Sequence, residues 1–134
     1  MSDPSLALQK AMVDALKAVG TLPDVVGGRV YDDVAASAAF PYVNLGMTQV
    51  LPDKAGCIDG AEVFQQIDVW SRSVGFPECK TIAQAVVARL DDVDLIVEGF
   101  AVIVLEHQDT RYLRDPDGLT KHAAITFRSL LQPT

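Results

Sequence analysis

The stretch AEVFQQIDVWS at residues 61–71 carries its aliphatic side chains an even number of residues apart. A period of two over this length is typical of a half-buried β-strand, because successive side chains point to opposite faces. Val63, Ile67 and Val69 fall on one face. The other face is mixed and carries Phe64, Gln66, Asp68 and Trp70. The stretch is therefore predicted to be a strand that buries its aliphatic face and leaves an unusual aromatic face for another role.

The same signal recurs on both sides of this strand. Strands are predicted at residues 29–31, 41–48, 100–107 and 121–129. In the second of these, Val43, Leu45 and Met47 are expected to face the core. Residues 100–107 are apolar on both faces, which is typical of a strand covered on both sides. Together the segments predict two hairpins, at residues 41–71 and 100–129.

Two helices are predicted from apolar residues spaced three and four apart, at residues 4–19 and at Pro77–Leu90. Proline near each start supplies the helical φ without wasting an N–H. Two hairpins separated by a helix indicate an α+β fold, with a mainly antiparallel sheet of four to five strands and both α-helices packed on one face. A chain of 134 residues fits one domain spanning residues 1–134.

The charge balance argues against a protein that binds DNA or anionic lipid. Eighteen acidic against eleven basic residues give a net charge of −7, whereas such proteins neutralise phosphates with basic patches. The nearest approach to a patch, Arg111 with Arg114, is flanked by acidic residues. No signal peptide or membrane-spanning stretch is visible, so synthesis in the cytoplasm and no membrane partner are expected. Cys57 and Cys79 are expected to be ordinary reduced thiols.

Two features invite a contact role. Long polar connections are predicted at residues 51–60 and 108–118, and connections of this length usually have a task. In addition, aromatic and aliphatic side chains are expected on the sheet face opposite the core, where an intersubunit interface and simple two-layer packing both remain open. The members of this set are Tyr42, Phe64, Trp70, Phe100 and Val104.

Residues that carry chemistry do not form a recognised motif. His107, Asp109 and His122 could form an acid–base or metal site across the second hairpin. Zinc sites normally need three or four convergent ligands at recognisable spacing, so solvent-facing histidines are the favoured interpretation. No catalytic, cofactor or metal site is predicted. A small ligand-binding or enzymatic domain using these three residues is the alternative function, and a dimeric cytoplasmic adaptor is a third.

Four segments carry a family resemblance. GGRVYDDV at residues 27–34, PYVNLG at 41–46, QIDVWSRSVG at 66–75 and DGLTKHAAITFR at 117–128 resemble, in this order, the tail-completion or tail-terminator proteins of long-tailed bacteriophages. They are also similar to the corresponding component of gene transfer agents. The resemblance covers nearly the whole chain.

The resemblance implies a structural virion protein rather than an enzyme, without a cofactor. Such a protein assembles in the bacterial cytoplasm, forms a ring, typically a hexamer, at the head-tail junction and caps the tail tube. Its expected partners are further copies of itself, the tail tube protein and the head-completion or stopper connector protein. Phe64, Trp70 and Arg128 are the expected subunit contacts; Arg111 and Arg114 lie in the second long connection, expected to touch tube or connector.

A ring of this size is compatible with passage of DNA. A domain of this length has a radius of about 18 Å, and six such spheres in a ring leave a hole about 36 Å wide. Six copies, each with a charge of −7, would not hold a polyanion by counterion release. DNA is therefore expected to pass through the lumen without specific binding.

Overall fold

A five-stranded sheet forms the centre of the protein. In the computed structural model, which describes residues 3–53 and 59–134, the strands are β1 (Val30–Tyr31), β2 (Tyr42–Asp53), β3 (Gly60–Ser71), β4 (Phe100–Arg114) and β5 (Lys121–Pro133). Their spatial order is β1-β2-β3-β5-β4. β1 is parallel to β2, and all other neighbours are antiparallel. The α+β prediction is confirmed, and the quoted stretch at residues 61–71 is the central strand.

Two helices, α1 (Pro4–Lys17) and α2 (Pro77–Leu90), pack on one face of this sheet. The carboxylate of Asp3 caps α1 by accepting a hydrogen bond from the Ser5 amide at 2.8 Å. α1 was predicted to reach Val19, but it ends at Lys17 and Val19 is fully exposed, because the chain turns to an extended conformation at Ala18. Among the described residues, no helix has the length and apolar character needed to cross a membrane.

The apolar face of β3 meets the two helices, as its alternation predicts. Val63, Ile67 and Val69 are completely buried, and they join one core with residues from α1, α2 and β5. The largest fully buried side chains from those elements are Leu8, Met12, Leu16, Ile82, Leu90, Ile125, Phe127 and Leu131. The opposite side of the sheet, called here the uncovered face, carries no helix of the described residues.

β-Bulges correct two predictions about which residues face the core. The register of β2 shifts between Leu45 and Thr48, so Met47 is 71% exposed instead of buried. The register of β4 shifts between Val102 and Val104 and again after His107. As a result Phe100, predicted on the uncovered face, lies in the core. A bulge inserts one residue and thereby reverses the alternation beyond it, which periodicity counted in sequence cannot show.

The two long connections predicted at residues 51–60 and 108–118 are largely β-strand in the described residues. β4 continues to Arg114, so the predicted loop at 108–118 is wrong and the connection to β5 is only residues 115–120. β2 continues to Asp53, which places residues 51–53 in the sheet. Gly60 begins β3, and residues 54–58, including Cys57, lie outside the described part.

Asp117 organises the β4–β5 turn. Its Oδ1 accepts hydrogen bonds from the amides of Leu119 and Thr120 at 2.8 and 2.9 Å, and its Oδ2 accepts one from the Thr120 hydroxyl at 2.7 Å. These bonds, with a smaller contribution from Arg72, lower the pKa of Asp117 to about 2. The turn is thus stabilised by an ionised carboxylate.

We expect Asp117→Asn to weaken the acid dependence of stability. The folded pKa lies below the unfolded value of 3.8, so the stabilisation by Asp117 is complete above about pH 5 and is lost as the pH falls towards 2. Thermal melts of the wild type and the variant between pH 7 and pH 2 measure this contribution to stability. The wild type should be the more stable at pH 7, and the two curves should converge in acid; parallel curves would contradict this.

Cys79, at the start of α2, is a buried thiol. It is completely inaccessible, and burial, helped by the neighbouring Glu78, raises its pKa to about 11. Because thiolate is the reactive form, we expect the single thiol of a Cys57→Ser protein to resist iodoacetamide at pH 8 and to react only after denaturation. Labelling of the folded protein, followed by mass spectrometry, would show the opposite if the site opened.

Candidate assembly interface

The uncovered face is built by the pairing of β2, β3 and β5. Phe64 on β3 lies directly opposite Arg128 on β5, and Trp70 lies between Tyr42 on β2 and His122 on β5. Because directly paired residues point to the same side of a sheet, all five side chains lie on the uncovered face. Phe64, Trp70 and Arg128, the expected subunit contacts, therefore lie on one surface.

Trp70 is held in a fixed orientation. Its ring stacks on that of His122 with centroids 3.9 Å apart and planes inclined by 7°. Its indole N–H donates to Oδ1 of Asn44 at 2.7 Å. Trp70 nevertheless remains partly exposed. A large, rigid, amphipathic ring of this kind loses little conformational entropy when a partner covers it.

Behind the Trp70–His122 pair lies a buried carboxylate. Asp68 is 5% exposed, and its Oδ1 accepts hydrogen bonds from Nε2 of His122 at 2.6 Å and from Nε2 of Gln66 at 2.8 Å. Gly46 on β2 makes room for it, since a Cβ at that position would collide with the Asp68 carboxylate. Asp68 was missed as a structural residue, although alternation had already placed it on the same face as Trp70.

The Arg128 guanidinium is ion-paired on two sides. Its Nε donates to Glu62 on β3, and its Nη1 donates to Glu106 on β4 at 2.9 Å. These two carboxylates raise the pKa of the guanidinium. Arg128 therefore links three neighbouring strands beside Phe64, and its charge offsets one of the two carboxylate charges in this part of the face.

Arg111 and Arg114, predicted in a long connection, lie instead on β4 and point to opposite sides of the sheet. Arg111 lies opposite Ala124 on the uncovered face, and Arg114 lies opposite Lys121 on the helix side. The Arg114 guanidinium covers the ring of Phe76 at 4.7 Å. Residues three apart on a strand point to opposite faces, so the two guanidinium groups cannot bind the same small ligand.

The residues of the alternative catalytic hypothesis are also separated. His107 lies opposite Phe127 on the helix side, and its Nε2 is 2.7 Å from the Thr110 hydroxyl. His122 and Asp109 lie on the uncovered face. Within residues 3–53 and 59–134, no three histidine, cysteine or acidic residues are close enough to hold a metal ion. The structure therefore does not bring His107 and His122 into one site.

Comparisons with known proteins agree on one family. The family model described as "Tail completion protein gp17" matches residues 10–132. "Tail completion protein gp17" of Bacillus phage SPP1 is 28% identical over 124 residues, which cover 92% of this chain and 91% of the relative. The solved structure of bacteriophage SPP1 gp17 superposes with a TM-score of 0.64 at 26% identity, covering 93% of this chain and 88% of that one.

A chain in the structure of the virion of a native gene transfer agent particle is more similar in shape. It superposes with a TM-score of 0.90 at 26% identity, over 98% of this chain and 99% of that chain. The agreement extends over both helices and the whole sheet, so the likeness is not confined to one motif. The resemblance read from four sequence segments is confirmed: the chain belongs to the family of tail completion proteins gp17, which are components of the virion in phages and gene transfer agents.

Proposed function

We propose that this protein closes the tail tube as a ring, joins the tail to the head connector and lets DNA pass through its lumen. The observation that carries the proposal is the match over nearly the entire chain to a component of a native gene transfer agent virion. A hexamer fits the size of the chain, because six such domains leave a hole wide enough for a DNA duplex. The role is structural rather than enzymatic, in agreement with the separation of His107 from His122.

Within this proposal, the uncovered face is the contact surface for assembly partners, namely another copy, the tail tube protein or the connector protein. Phe64 and Trp70 supply apolar area, and Arg128 with its two carboxylates supplies a polar border. Aromatic centres with polar borders are the usual composition of protein interfaces. The net charge of −7 suits a conduit, since it gives DNA no site at which to be held.

Particles produced without this protein provide the test. We expect electron microscopy to show tails of uncontrolled length, or heads without tails, when the gene is deleted from the phage or gene transfer agent that encodes it. Normal particles should return when the gene is supplied in trans. Normal head-tail particles in the deletion strain would contradict the proposal.

A substitution on the uncovered face should separate assembly from folding. Phe64→Ser removes an aromatic ring that is only partly buried, so the monomer should stay folded, while loss of an interface anchor should lower the yield of complete particles at least about tenfold. Val19→Ser, at a fully exposed site, is the matched control and should leave the yield unchanged. Circular dichroism checks the fold and particle counts check assembly; equal yields for the two variants would contradict a role for this face.

A further inference from the structure

One edge of the sheet is open along the second half of β2. β1 pairs only with Val43 and Asn44, and beyond them no strand of residues 3–53 or 59–134 lies on that side. Seven consecutive side chains, residues 47–53, are exposed. The Val43 amide donates towards β1, and β-strand alternation, carried through the bulge, directs the main-chain groups of Thr48, Val50 and Pro52 to the same open side.

The opposite edge, formed by β4, is blocked in its first half and open in its second. The Phe100 amide donates to Val97, the carbonyl of Leu105 accepts from the Asp92 amide, and the His107 amide donates to the Asp91 carboxylate. Past the second bulge, the described residues make no further hydrogen bond of this kind to the outer edge of β4. The Asp115 amide bonds across to Thr120, which directs the main-chain groups of Thr110, Tyr112 and Arg114 away from β5.

We propose that the open half of β2 in one copy pairs with the open half of β4 in the next copy, as an antiparallel seam between residues 48–53 and 109–114. This inference rests on the proposed ring. Exposed strand edges recruit further strands, and two different edges that fit each other give a head-to-tail contact that can close into a ring. β2 and β4 run in opposite directions, so the seam continues the antiparallel order of the sheet.

One register pairs all three outward-facing residues of each open edge, whereas a shift by two residues pairs only two of them. With Val50 opposite Tyr112, Thr48 falls opposite Arg114, and both pairs can exchange two main-chain bonds. Pro52, which has no N–H, then falls opposite Thr110 and needs only to accept. The helix-covered sides of the two sheets then face the same way. The seam also covers four apolar side chains that are 39–45% exposed in the single copy: Val50, Leu51, Tyr112 and Leu113. Arg111 comes to lie beside Leu51 of the neighbouring copy and next to Asp53 and Asp109, which face each other in this register and whose repulsion the guanidinium offsets in part.

This register also gives the sheet a tilt that permits closure. Val50 pairs with Val63 of β3, whereas Tyr112 pairs with Ala123 of β5, which in turn pairs with Val69 of β3. The two ends of the seam therefore differ by six residues along β3, and neighbouring copies are displaced by that amount. Six residues correspond to about 20 Å along the strands, and four strands per copy span about 19 Å across them. The resulting tilt of roughly 45° lies at the upper end of the range seen in closed sheets. A seam without this displacement would need edge positions that are already occupied. β1 pairs with the first half of β2, and Asp91 and Asp92 bond to the first half of β4.

Disulfide trapping tests the seam directly. Gln49→Cys and Leu113→Cys would be combined in a Cys57→Ser background, in which the remaining Cys79 is buried. In the proposed register these two positions face each other as a non-hydrogen-bonded pair, with Cα atoms about 4.5 Å apart, a distance that a disulfide spans. The matched control is Gln49→Cys with Ile103→Cys, since Ile103 is exposed on the blocked half of β4. Complete particles are oxidised and analysed on non-reducing denaturing gels, with rings identified by electron microscopy.

We expect covalent multimers up to the full ring from the Gln49–Leu113 pair and only monomers from the control pair. Rings that assemble without crosslinking through position 113, or that crosslink equally through position 103, would overturn the seam while leaving the proposed function intact. Particles in which the protein forms no ring at all would contradict the proposed function and the seam with it.

Discussion

Phe127→Ala is expected to lower the free energy of unfolding by about 3–5 kcal/mol, the usual range for removing a buried aromatic side chain. Phe127 is 1% exposed and is the largest of the fully buried side chains. It lies on β5 between Gln65 of β3 and His107 of β4, so strands on both sides fix its surroundings and limit collapse into the cavity. Since small domains are stable by only about 5–15 kcal/mol, this one change should leave the protein near its limit.

Urea denaturation followed by circular dichroism measures the effect. The control is Phe64→Ala, which removes the same side chain from the partly exposed uncovered face and should cost less than half as much, because less apolar area returns to water. Equal losses for the two variants would mean that the helix-covered side is not the main core.

Gly46→Ala is expected to destabilise the protein by about 2–3 kcal/mol, far more than one added methyl group normally does on a strand. The new Cβ would occupy the space of the Asp68 carboxylate. Displacing that carboxylate breaks its hydrogen bonds to His122 and Gln66, and a buried polar group left without partners costs about 1–3 kcal/mol. The stack of Trp70 on His122 should loosen at the same time.

A double-mutant cycle separates this collision from a general effect on the strand. Asp68→Ala removes the obstructing carboxylate, so Gly46→Ala should cost much less in that background, and the two changes should be clearly non-additive. Near-ultraviolet circular dichroism of the single tryptophan reports the stack. Additive losses, or an unchanged tryptophan signal in Gly46→Ala, would contradict the explanation.

Most of the fold was predictable from local pattern. The bounds of α2 were predicted as observed, because proline at its start and a clear apolar stripe define it. The faces of β3 were also predicted, because this central strand has no bulge and pairs on both sides. The errors about which strand residues face the core came at β2 and β4, the strands with register shifts. A bulge is a property of a pair of strands, so neither Met47 nor Phe100 could be placed by counting along one of them.

The candidate interface was less predictable than the fold. Alternation put Phe64 and Trp70 on one surface, but it could not show that Arg128 bonds to Glu62 and Glu106, which are 66 and 22 residues away. Arg111 and Arg114 were predicted in a loop at 108–118, but β4 continues through both, and a strand sends residues three apart to opposite sides. His107 and His122 do not face each other because the register between β4 and β5 pairs them with Phe127 and Leu113, on opposite sides of the sheet.

By itself, the sequence determined the α+β class, the positions of both helices, the aromatic side of the central strand and a net charge unsuited to gripping DNA. These depend on composition and on periodicity within single segments, which local chemistry specifies. Only the tertiary structure decided which edges of the sheet are open, how Asp68 is buried beneath Trp70 and His122, and which of the predicted residues share a face. Those depend on register between strands far apart in the chain, and register is fixed by packing of the whole core rather than by any one segment.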